Sequence, residues 1–350
     1  MSFAEPRPGL RDVEPYAAPQ LDVPVRLNTN ECPCPLPDGF TQDLQDAVRT
    51  ISLNRYPDRE ATLLRETLAA HTGHAFEGTW AANGSNEIIQ QLLLAYGGPG
   101  RSALVFPPTY ELYGRLARAT HTDVVSVEIP EPWTIGPSHI AAAVVAQPDV
   151  VFVCSPNNPT GNTQTPDVVA ELASTLEGAL VVVDEAYIEF GGSSALGLVA
   201  VHPNVVVVRT MSKAFALAGA RLGYLLADPV VVEDLRRVRL PYHVSALTQA
   251  AGLTALQHSA DALEILDALR EQRDRILVAL SQTPGVTAYP SHSNFVLFRT
   301  ERDAASVWQG LLDRGVLVRD FTKTVPGCLR VNAGTPEETE AFLNAMKEVL

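Results

Sequence analysis

The chain has 350 residues, of which 46% are hydrophobic and 19% are charged, and its formal net charge is −14. These proportions are typical of a globular enzyme, and the length favours two domains because a single hydrophobic core stops growing below this size. The excess of acidic residues would repel nucleic-acid backbones and anionic lipid surfaces, so neither is an expected partner.

Residues 1–38 are rich in proline and lack periodicity, which predicts an extended arm. They contain no long apolar stretch, so we expect no secretory signal. The chain has four cysteines, too few for a disulfide scaffold, and we expect reduced thiols in a cytoplasmic protein. The longest apolar runs have the length of a strand and predict no membrane span.

Residues 59–72 carry apolar side chains at helical spacing. Short apolar runs then alternate with segments of helix length, a pattern typical of an α/β fold with a mostly parallel sheet flanked by helices. The predicted strands are 102–106, 122–127, 150–154, 180–183, 205–208 and 222–226.

The C-terminal part differs in character. Residues 246–281 are rich in leucine and alanine and predict a long helix, and 286–350 predict a strand, a helix, two strands and a helix. The predicted organisation is an N-terminal arm (1–38) that contributes to the small domain, a large domain (39–245), and a long linking helix with a smaller α+β domain (246–350).

Polar residues follow three of the predicted strands, and ligands bind at this edge of a parallel sheet. Asn158, Asp184 and Lys213 each come shortly after a strand. Taken singly, they could be a turn asparagine, a helix-capping acid and a surface lysine. Dinucleotide, P-loop and zinc-protease motifs are absent from the sequence, so we predict no nucleotide or metal site.

Four motifs in a fixed order carry a resemblance to a known family. They are Asn-Pro-Thr-Gly (158–161), Asp-Glu-Ala-Tyr (184–187), Ser-Lys-x-x-x-x-Ala-Gly-x-Arg-x-Gly (212–223) and Leu-Arg-Val-Asn-Ala-Gly-Thr (329–335). Together they resemble the fold-type I aminotransferases, which use pyridoxal 5′-phosphate, and within these the histidinol-phosphate aminotransferase family. The similarity begins at Leu-Asn-Thr-Asn-Glu (27–31) and reaches the C-terminal helix.

The resemblance implies the catalytic residues. Lys213 would hold the cofactor aldehyde covalently and later move a proton between the carbon atoms of substrate and cofactor. Asp184 would pair with the pyridine nitrogen and keep it protonated. Tyr187 and Asn158 would donate hydrogen bonds to the phenolic oxygen of the ring.

The same resemblance implies how the cofactor phosphate is bound. Arg221 would bind it through two parallel hydrogen bonds. The hydroxyl groups of Thr210 and Ser212 would lie beside it. The backbone amides of Ser85 and Asn86 would face it from the start of a helix, where the helix dipole favours an anion.

Two tyrosines complete the implied cofactor site. Tyr110 would stack on the face of the ring. Tyr56 would reach the cofactor phosphate of the neighbouring subunit, which implies a homodimer with shared active sites.

The implied reaction is amino transfer between L-histidinol phosphate and 2-oxoglutarate, which gives imidazole acetol phosphate and glutamate in histidine biosynthesis. Arg330 and Arg319 would bind the substrate phosphate, and Tyr16 would close over the substrate. The Cys-Pro-Cys-Pro sequence (32–35) departs from the family's usual pattern at this position.

The resemblance leaves alternatives open. An aromatic amino-acid aminotransferase, acting on phenylalanine or tyrosine, has the same fold and shares almost every cofactor residue. A lyase or decarboxylase with the same cofactor, and a regulator that has kept an aminotransferase domain, are further alternatives.

Overall fold

The computed structural model describes residues 4, 5, 7, 10, 13, 15 and 17–350. The strands are β1 (Val25–Leu27), β2 (Thr79–Ala82), β3 (Ser102–Val105), β4 (Asp123–Ser126), β5 (Val150–Cys154), β6 (Leu180–Asp184), β7 (Val205–Thr210), β8 (Gly223–Leu226), β9 (Val286–Ala288), β10 (Phe295–Thr300), β11 (Val316–Asp320) and β12 (Cys328–Asn332). The helices are α1 (Asp38–Arg49), α2 (Thr62–Thr72), α3 (Ser85–Tyr96), α4 (Leu112–Ala119), α5 (Pro137–Ala146), α6 (Pro166–Thr175), α7 (Pro229–Val238), α8 (Ala246–Gln257), α9 (Ser259–Ser281), α10 (Ala304–Asp313) and α11 (Pro336–Val349).

The larger sheet has seven strands in the order β2-β8-β7-β6-β5-β3-β4, and only β8 runs antiparallel to its neighbours. Every residue of β5 and β6 is buried. Val151 and Val153 face one hydrophobic core while Val150 and Phe152 face another, because successive side chains point to opposite faces of a sheet. The predicted α/β fold with a mostly parallel, doubly covered sheet is therefore confirmed.

The smaller sheet has the order β1-β11-β12-β10-β9. Its strands are antiparallel except that β1, from the predicted N-terminal arm, pairs in parallel with β11. One face packs on α9, α10 and α11 through residues such as Val296 and Phe342, whereas Phe295 and Leu297 join the core of the larger sheet. The predicted domain boundaries stay a prediction.

Three elements differ from the expectations. The strand β2 was not predicted, and the single strand expected after residue 286 is a pair, β9 and β10. The long helix expected over 246–281 is divided at His258, whose ring nitrogens lie 2.8 Å from the carboxylates of Asp43 and Asp261. In the described part of the chain, no helix combines the length and apolar character needed to cross a membrane.

Candidate active site

A cavity of about 340 Å³ lies at the carboxyl ends of β5, β6 and β7. Residues of the arm, the start of α3 and the strands β11 and β12 complete its wall. The predicted site residues that line it are Ser85, Asn86, Tyr110, Asn158, Asp184, Tyr187, Thr210, Ser212, Lys213, Arg221, Arg319 and Arg330. Tyr56 is not among them, and Tyr16 lies outside the described residues.

The Lys213 amine follows β7 and donates a hydrogen bond to the carbonyl oxygen of Thr29 at 3.3 Å. Burial and, after it, the positive charges of Arg330 and Arg221 together lower the pKa of Lys213 to about 8, against the opposing effect of Glu31. A lysine with this pKa has a substantial neutral fraction in mildly alkaline solution. It can therefore act as a nucleophile or a base.

Asp184 is the last residue of β6 and is buried. Its Oδ2 accepts a hydrogen bond from Tyr113 Oη at 2.7 Å, and its Oδ1 accepts one from the Ala186 amide at 3.1 Å. Burial raises the pKa of Asp184 to about 6, although both hydrogen bonds favour the carboxylate. A cationic group of a ligand would therefore be strongly attracted to the Asp184 carboxylate. A protonated pyridine nitrogen is such a group, and it needs a carboxylate beside it to keep its proton.

Tyr113 was missed by the sequence analysis. It is fully buried, and its ring stacks on Phe152 with centroids 4.7 Å apart and planes 2° from parallel. Tyr113 lies in α4, whereas Tyr110 precedes this helix. No local pattern in the sequence marks Tyr113 as a site residue.

Two hydrogen-bonded pairs contribute to one part of the cavity wall. Asn30 of the arm donates from its amide to Tyr187 Oη at 2.7 Å. Arg330 Nη1 donates to the side-chain oxygen of Asn158 at 2.5 Å, and Nη2 donates to the carbonyl oxygen of Asn28 at 2.9 Å. Because the Asn158 oxygen is engaged by Arg330, its NH₂ group is the donor that remains for a ligand oxygen.

The opposite end of the cavity is rich in donors. The helix α3 begins at Ser85 without a side-chain cap, so its first amides have no partner within the helix. Thr210 Oγ1 donates to Ser212 Oγ at 3.0 Å, and Arg221 Nη1 donates to the same oxygen at 3.4 Å. A helix N-terminus, two hydroxyls and a guanidinium are the groups that bind a phosphate.

Two glycines let these groups approach one another. A methyl group at Gly84 would lie 2.8 Å from Arg221 Nη2, and one at Gly223 would lie 2.3 Å from the Ser85 amide nitrogen. Gly84 also has a φ of +84°, which disfavours other residues. The sequence at both positions is therefore adapted to a close-packed anion site, which fits the phosphate of the expected cofactor.

Arg319 and Arg330 are direct cross-strand partners on β11 and β12, and both line the cavity. Like charges placed opposite each other destabilise a sheet. Arg330 is only 4% exposed, and its guanidinium lies 4.8 Å from the ring centroid of Phe295 and 4.9 Å from that of Phe321. The paired positive charges make this wall suitable for a doubly charged anion.

The two remaining tyrosines occupy different environments. Tyr110 lines the cavity, and its hydroxyl donates to the side-chain oxygen of Asn86 at 3.3 Å. Tyr56 is 80% exposed, and its ring stacks on Tyr242 with centroids 4.4 Å apart. Tyr56 thus lies at the surface, outside the cavity of its own chain.

Comparison with known proteins gives concordant results. The chain matches the family "Aminotransferase class I and II" over residues 23–346. Histidinol-phosphate aminotransferases from Frankia casuarinae and Streptomyces avermitilis are 50% and 51% identical to it, over 98% of this chain and 90% and 96% of those proteins. The structure of a histidinol-phosphate aminotransferase from Sinorhizobium meliloti, in complex with pyridoxal-5′-phosphate, has a TM-score of 0.89 at 23% identity, covering 99% of this chain and 98% of that chain. This last likeness shows the fold.

Proposed function

The chain belongs to the class I and II aminotransferase family and, within it, to the histidinol-phosphate aminotransferases, and we propose that it transfers the amino group of L-histidinol phosphate to 2-oxoglutarate with pyridoxal 5′-phosphate as its cofactor. The products are imidazole acetol phosphate and glutamate, and the step belongs to histidine biosynthesis. The aromatic alternative has less support, because relatives near 50% identity are histidinol-phosphate aminotransferases.

The donor-rich end of the cavity is the proposed site of the cofactor phosphate. The amides of Ser85 and Asn86, the hydroxyls of Thr210 and Ser212, and the Arg221 guanidinium would hold it there. This arrangement needs no metal ion to neutralise the phosphate charge.

The ring of the cofactor is proposed to lie between this end and the arginines. Pyridoxal phosphate supplies an aldehyde that carries the amino group and a protonated ring that accepts electrons from the substrate carbon. Asp184 would hold the ring nitrogen in its protonated form. Tyr187 and Asn158 would donate to the ring oxygen, and Tyr110 would cover one face of the ring.

Lys213 has two proposed roles. Its amine would hold the cofactor, and the same amine, when free, would take the proton from the substrate carbon that bears nitrogen. The lowered pKa of Lys213 suits both roles, since each needs the neutral amine.

One observation carries the choice of substrate, namely the cross-strand pair Arg319 and Arg330 in the cavity wall. A phosphate monoester carries nearly two negative charges near pH 7. A chain with a net charge of −14 needs a local group of cations to attract such a ligand. Two guanidinium groups can bind several phosphate oxygens in the planar geometry that arginine favours.

The test is a panel of amino donors with 2-oxoglutarate as the acceptor. Histidinol phosphate should be the best donor, ahead of phenylalanine, tyrosine and histidine. Arg319→Ala should lower kcat/KM for histidinol phosphate by about 30-fold or more, mainly through KM, because losing a buried charged pair costs about 2–5 kcal/mol. The phenylalanine reaction should change much less.

Arg314→Ala is the matched control, because Arg314 pairs with Glu348 at 2.8 Å and does not line the cavity. It removes the same charge from the protein and should leave the preference among donors unchanged. A better rate with phenylalanine in the unmodified protein, or equal losses for both donors in Arg319→Ala, would establish the aromatic alternative instead.

We further propose that the enzyme is a cytoplasmic homodimer. Tyr56 is exposed and stacks on Tyr242, which is itself partly exposed, and the apolar side chains of Leu53, Leu63 and Leu240 are exposed as well. Such a surface is suited to a second copy of the chain that would receive Tyr56 at its own cofactor site. The four cysteines are free thiols, which fits a reducing compartment.

A further inference from the structure

Two buried asparagines connect the N-terminal arm to Tyr187. Asn30 lies in the Leu-Asn-Thr-Asn-Glu segment and Asn332 in the Leu-Arg-Val-Asn-Ala-Gly-Thr segment, and neither has a role in the function proposed above. Both are at most 2% exposed. Asn332 donates to Asn30 Oδ1 at 2.6 Å, and Asn30 donates to Tyr187 Oη at 2.7 Å.

The backbone fixes the direction of this chain of hydrogen bonds. The Asn332 side-chain oxygen accepts from the amides of Asn30 and Thr29 at 2.5 and 3.2 Å, while its NH₂ group donates to the Leu27 carbonyl oxygen at 3.3 Å. Backbone donors and acceptors cannot exchange roles, so the Asn332 amide has one satisfied orientation. Its NH₂ group then engages the Asn30 oxygen, and the Asn30 NH₂ group must face Tyr187.

This direction determines where the Tyr187 proton can point. The hydroxyl oxygen already accepts from Asn30, so its proton must be donated elsewhere. The rings of Phe295 and Tyr187 are nearly perpendicular, with centroids 5.3 Å apart, and no oxygen of the described residues accepts from this hydroxyl. The open direction is the cavity, which Tyr187 lines.

We propose that Asn30 is a positioning residue, which donates to the Tyr187 hydroxyl and so keeps the proton of that hydroxyl directed at the cavity, with Asn332 fixing the orientation of Asn30. The inference rests on the proposed function, in which the Tyr187 proton is donated to the phenolic oxygen of the cofactor ring. It assigns a role to two buried asparagines, of which Asn30 lines the cavity and Asn332 supports it from behind.

The proposed role of Asn30 as a hydrogen-bond donor has to be distinguished from a role in the backbone conformation alone. Asn30 has a φ of +56°, which asparagine, aspartate and glycine tolerate better than other residues. Asn30→Asp keeps the shape and the backbone preference, and its carboxylate still accepts a hydrogen bond from Asn332, but it accepts a hydrogen bond from the Tyr187 hydroxyl instead of donating one to it. Asn30→Gly keeps the backbone free of strain and removes the side chain.

The experiment follows the pH at which the visible absorbance of the lysine-bound cofactor changes. Asn30→Asp should raise this midpoint by about one pH unit, because a ring oxygen that loses a donated hydrogen bond retains the neighbouring proton more strongly. The new charge would also raise the midpoint. The same substitution is therefore made in a Tyr187→Phe background, where only the effect of charge remains and the rise should be at most half as large.

Asn332→Asp tests the same series of hydrogen bonds from the Asn332 end. It replaces Asn30→Asp if the Asn30→Asp variant does not fold. Its carboxylate attracts the Asn30 NH₂ group, which turns the Asn30 oxygen towards Tyr187, so the midpoint should again rise, and by less in the Tyr187→Phe background. Asn30→Gly should raise the midpoint less than Asn30→Asp, because the hydroxyl loses its orientation without gaining a competing acceptor. Thermal unfolding of the cofactor-free variants reports any structural damage.

The outcomes are distinct. Equal rises in both backgrounds, or a lower melting temperature with an unchanged midpoint, would overturn the role of Asn30 and leave the proposed function intact. If the unmodified protein acquires no pH-dependent absorbance with pyridoxal phosphate, the proposed function fails, and this inference fails with it.

Discussion

Two ionisable residues in the cavity have pKa values shifted towards each other. Burial lowers the pKa of Lys213 to about 8 and raises that of Asp184 to about 6. In both cases the neutral form is favoured because charge is poorly solvated there. A cation next to Asp184 would reverse its shift, whereas Lys213 has two arginines nearby that keep its pKa low.

The pH dependence of cofactor binding follows from the Lys213 pKa. Covalent binding needs the neutral amine, so its rate in cofactor-free protein should rise with pH through about 8, well below the ordinary lysine value of 10.5. Stopped-flow absorbance measures this rate, with a free lysine derivative as the reference for the titration of the cofactor itself. Arg330→Gln should move the midpoint to higher pH, because it removes a nearby positive charge.

The site of attachment is testable in the same preparation. The chain has only three lysines, Lys213, Lys323 and Lys347. Borohydride reduction should fix the cofactor to Lys213, and Lys213→Ala should have almost no turnover. Attachment to either of the other two lysines would refute the assignment.

Glu189 gives a separate prediction about stability. Its Oε2 is buried without a hydrogen-bond partner among the described residues, and burial raises its pKa from 4.5 to about 7. Between pH 4.5 and about 7 the folded protein holds a proton that the unfolded chain has released, so this residue lowers the free energy of unfolding as the pH rises across that range, and the loss is complete above 7. Glu189→Gln should be more stable by about 1–3 kcal/mol above pH 7.

Thermal or urea unfolding across this range measures the difference. Below pH 4.5, where both states of the unmodified protein hold the proton, Glu189→Gln should have nearly unchanged stability. A stability difference that does not vary with pH would contradict the explanation.

Among the structural elements, the approach of β8 to the start of α3 is the tightest in the site. A methyl group at Gly223 would meet backbone atoms of Gly84 and Ser85 at 2.3–2.9 Å, and backbone atoms cannot move independently of their helix. Gly223→Ala should therefore displace the amides that are proposed to bind phosphate. We expect weaker cofactor binding and a loss of about 1–3 kcal/mol in the free energy of unfolding.

Calorimetry for the stability and equilibrium dialysis for the cofactor are the measurements. Gly178→Ala is the control, because a methyl group at Gly178 would contact nothing within 4 Å. Similar effects of Gly223→Ala and Gly178→Ala on stability and cofactor binding would mean that the close approach at Gly223 is not their cause.

The central strands could be predicted because a strand that is buried on both faces consists of consecutive apolar residues, which the sequence shows directly. The bounds of β5 agree with the prediction, and those of β6 and β7 differ only at the C-terminal end. The strand β2 carries only Thr-Trp-Ala-Ala, which has neither alternation nor a β-branched run. It depends on pairing with β8 and on Arg65, whose Nε donates to the Thr79 carbonyl oxygen at 2.7 Å.

The residues of the cavity likewise include some that could be predicted from local sequence and others that could not. Asp184 ends β6 and Lys213 follows β7, so local sequence places them at the ligand-binding edge. Tyr113 and Asn30 reach their partners across 71 and 157 residues of the chain. No local pattern encodes such contacts, since they depend on how the helix α4 and the arm pack in the folded molecule.

At the scale of the whole molecule, the position of Tyr56 predicts a homodimer. Sedimentation should detect this dimer. The Tyr56→Phe protein should still be a dimer but should retain the cofactor about tenfold more weakly, because a hydrogen bond to a charged phosphate is lost. Tyr96→Phe is the control, since Tyr96 donates to Asp234 at 2.8 Å and does not line the cavity.

Mixed dimers sharpen this test. When Tyr56→Phe subunits are combined with Lys213→Ala subunits, one of the two sites contains an intact Lys213 and an intact Tyr56. That site should retain the cofactor like the unmodified enzyme. A fully active monomer, or mixed dimers no better than the Tyr56→Phe protein, would contradict a shared site.

The arm and the smaller sheet bring the two ends of the chain together. Arg330 and Asn28 are hydrogen-bonded across 302 residues, and β1 pairs with β11, whereas the seven-stranded sheet uses only residues 79–226. A ribosome synthesises the N-terminus first, so the nascent chain can complete the larger sheet while the arm still has no partner strand. The substrate wall can form only when translation is nearly finished, after β11 and β12 have emerged from the ribosome.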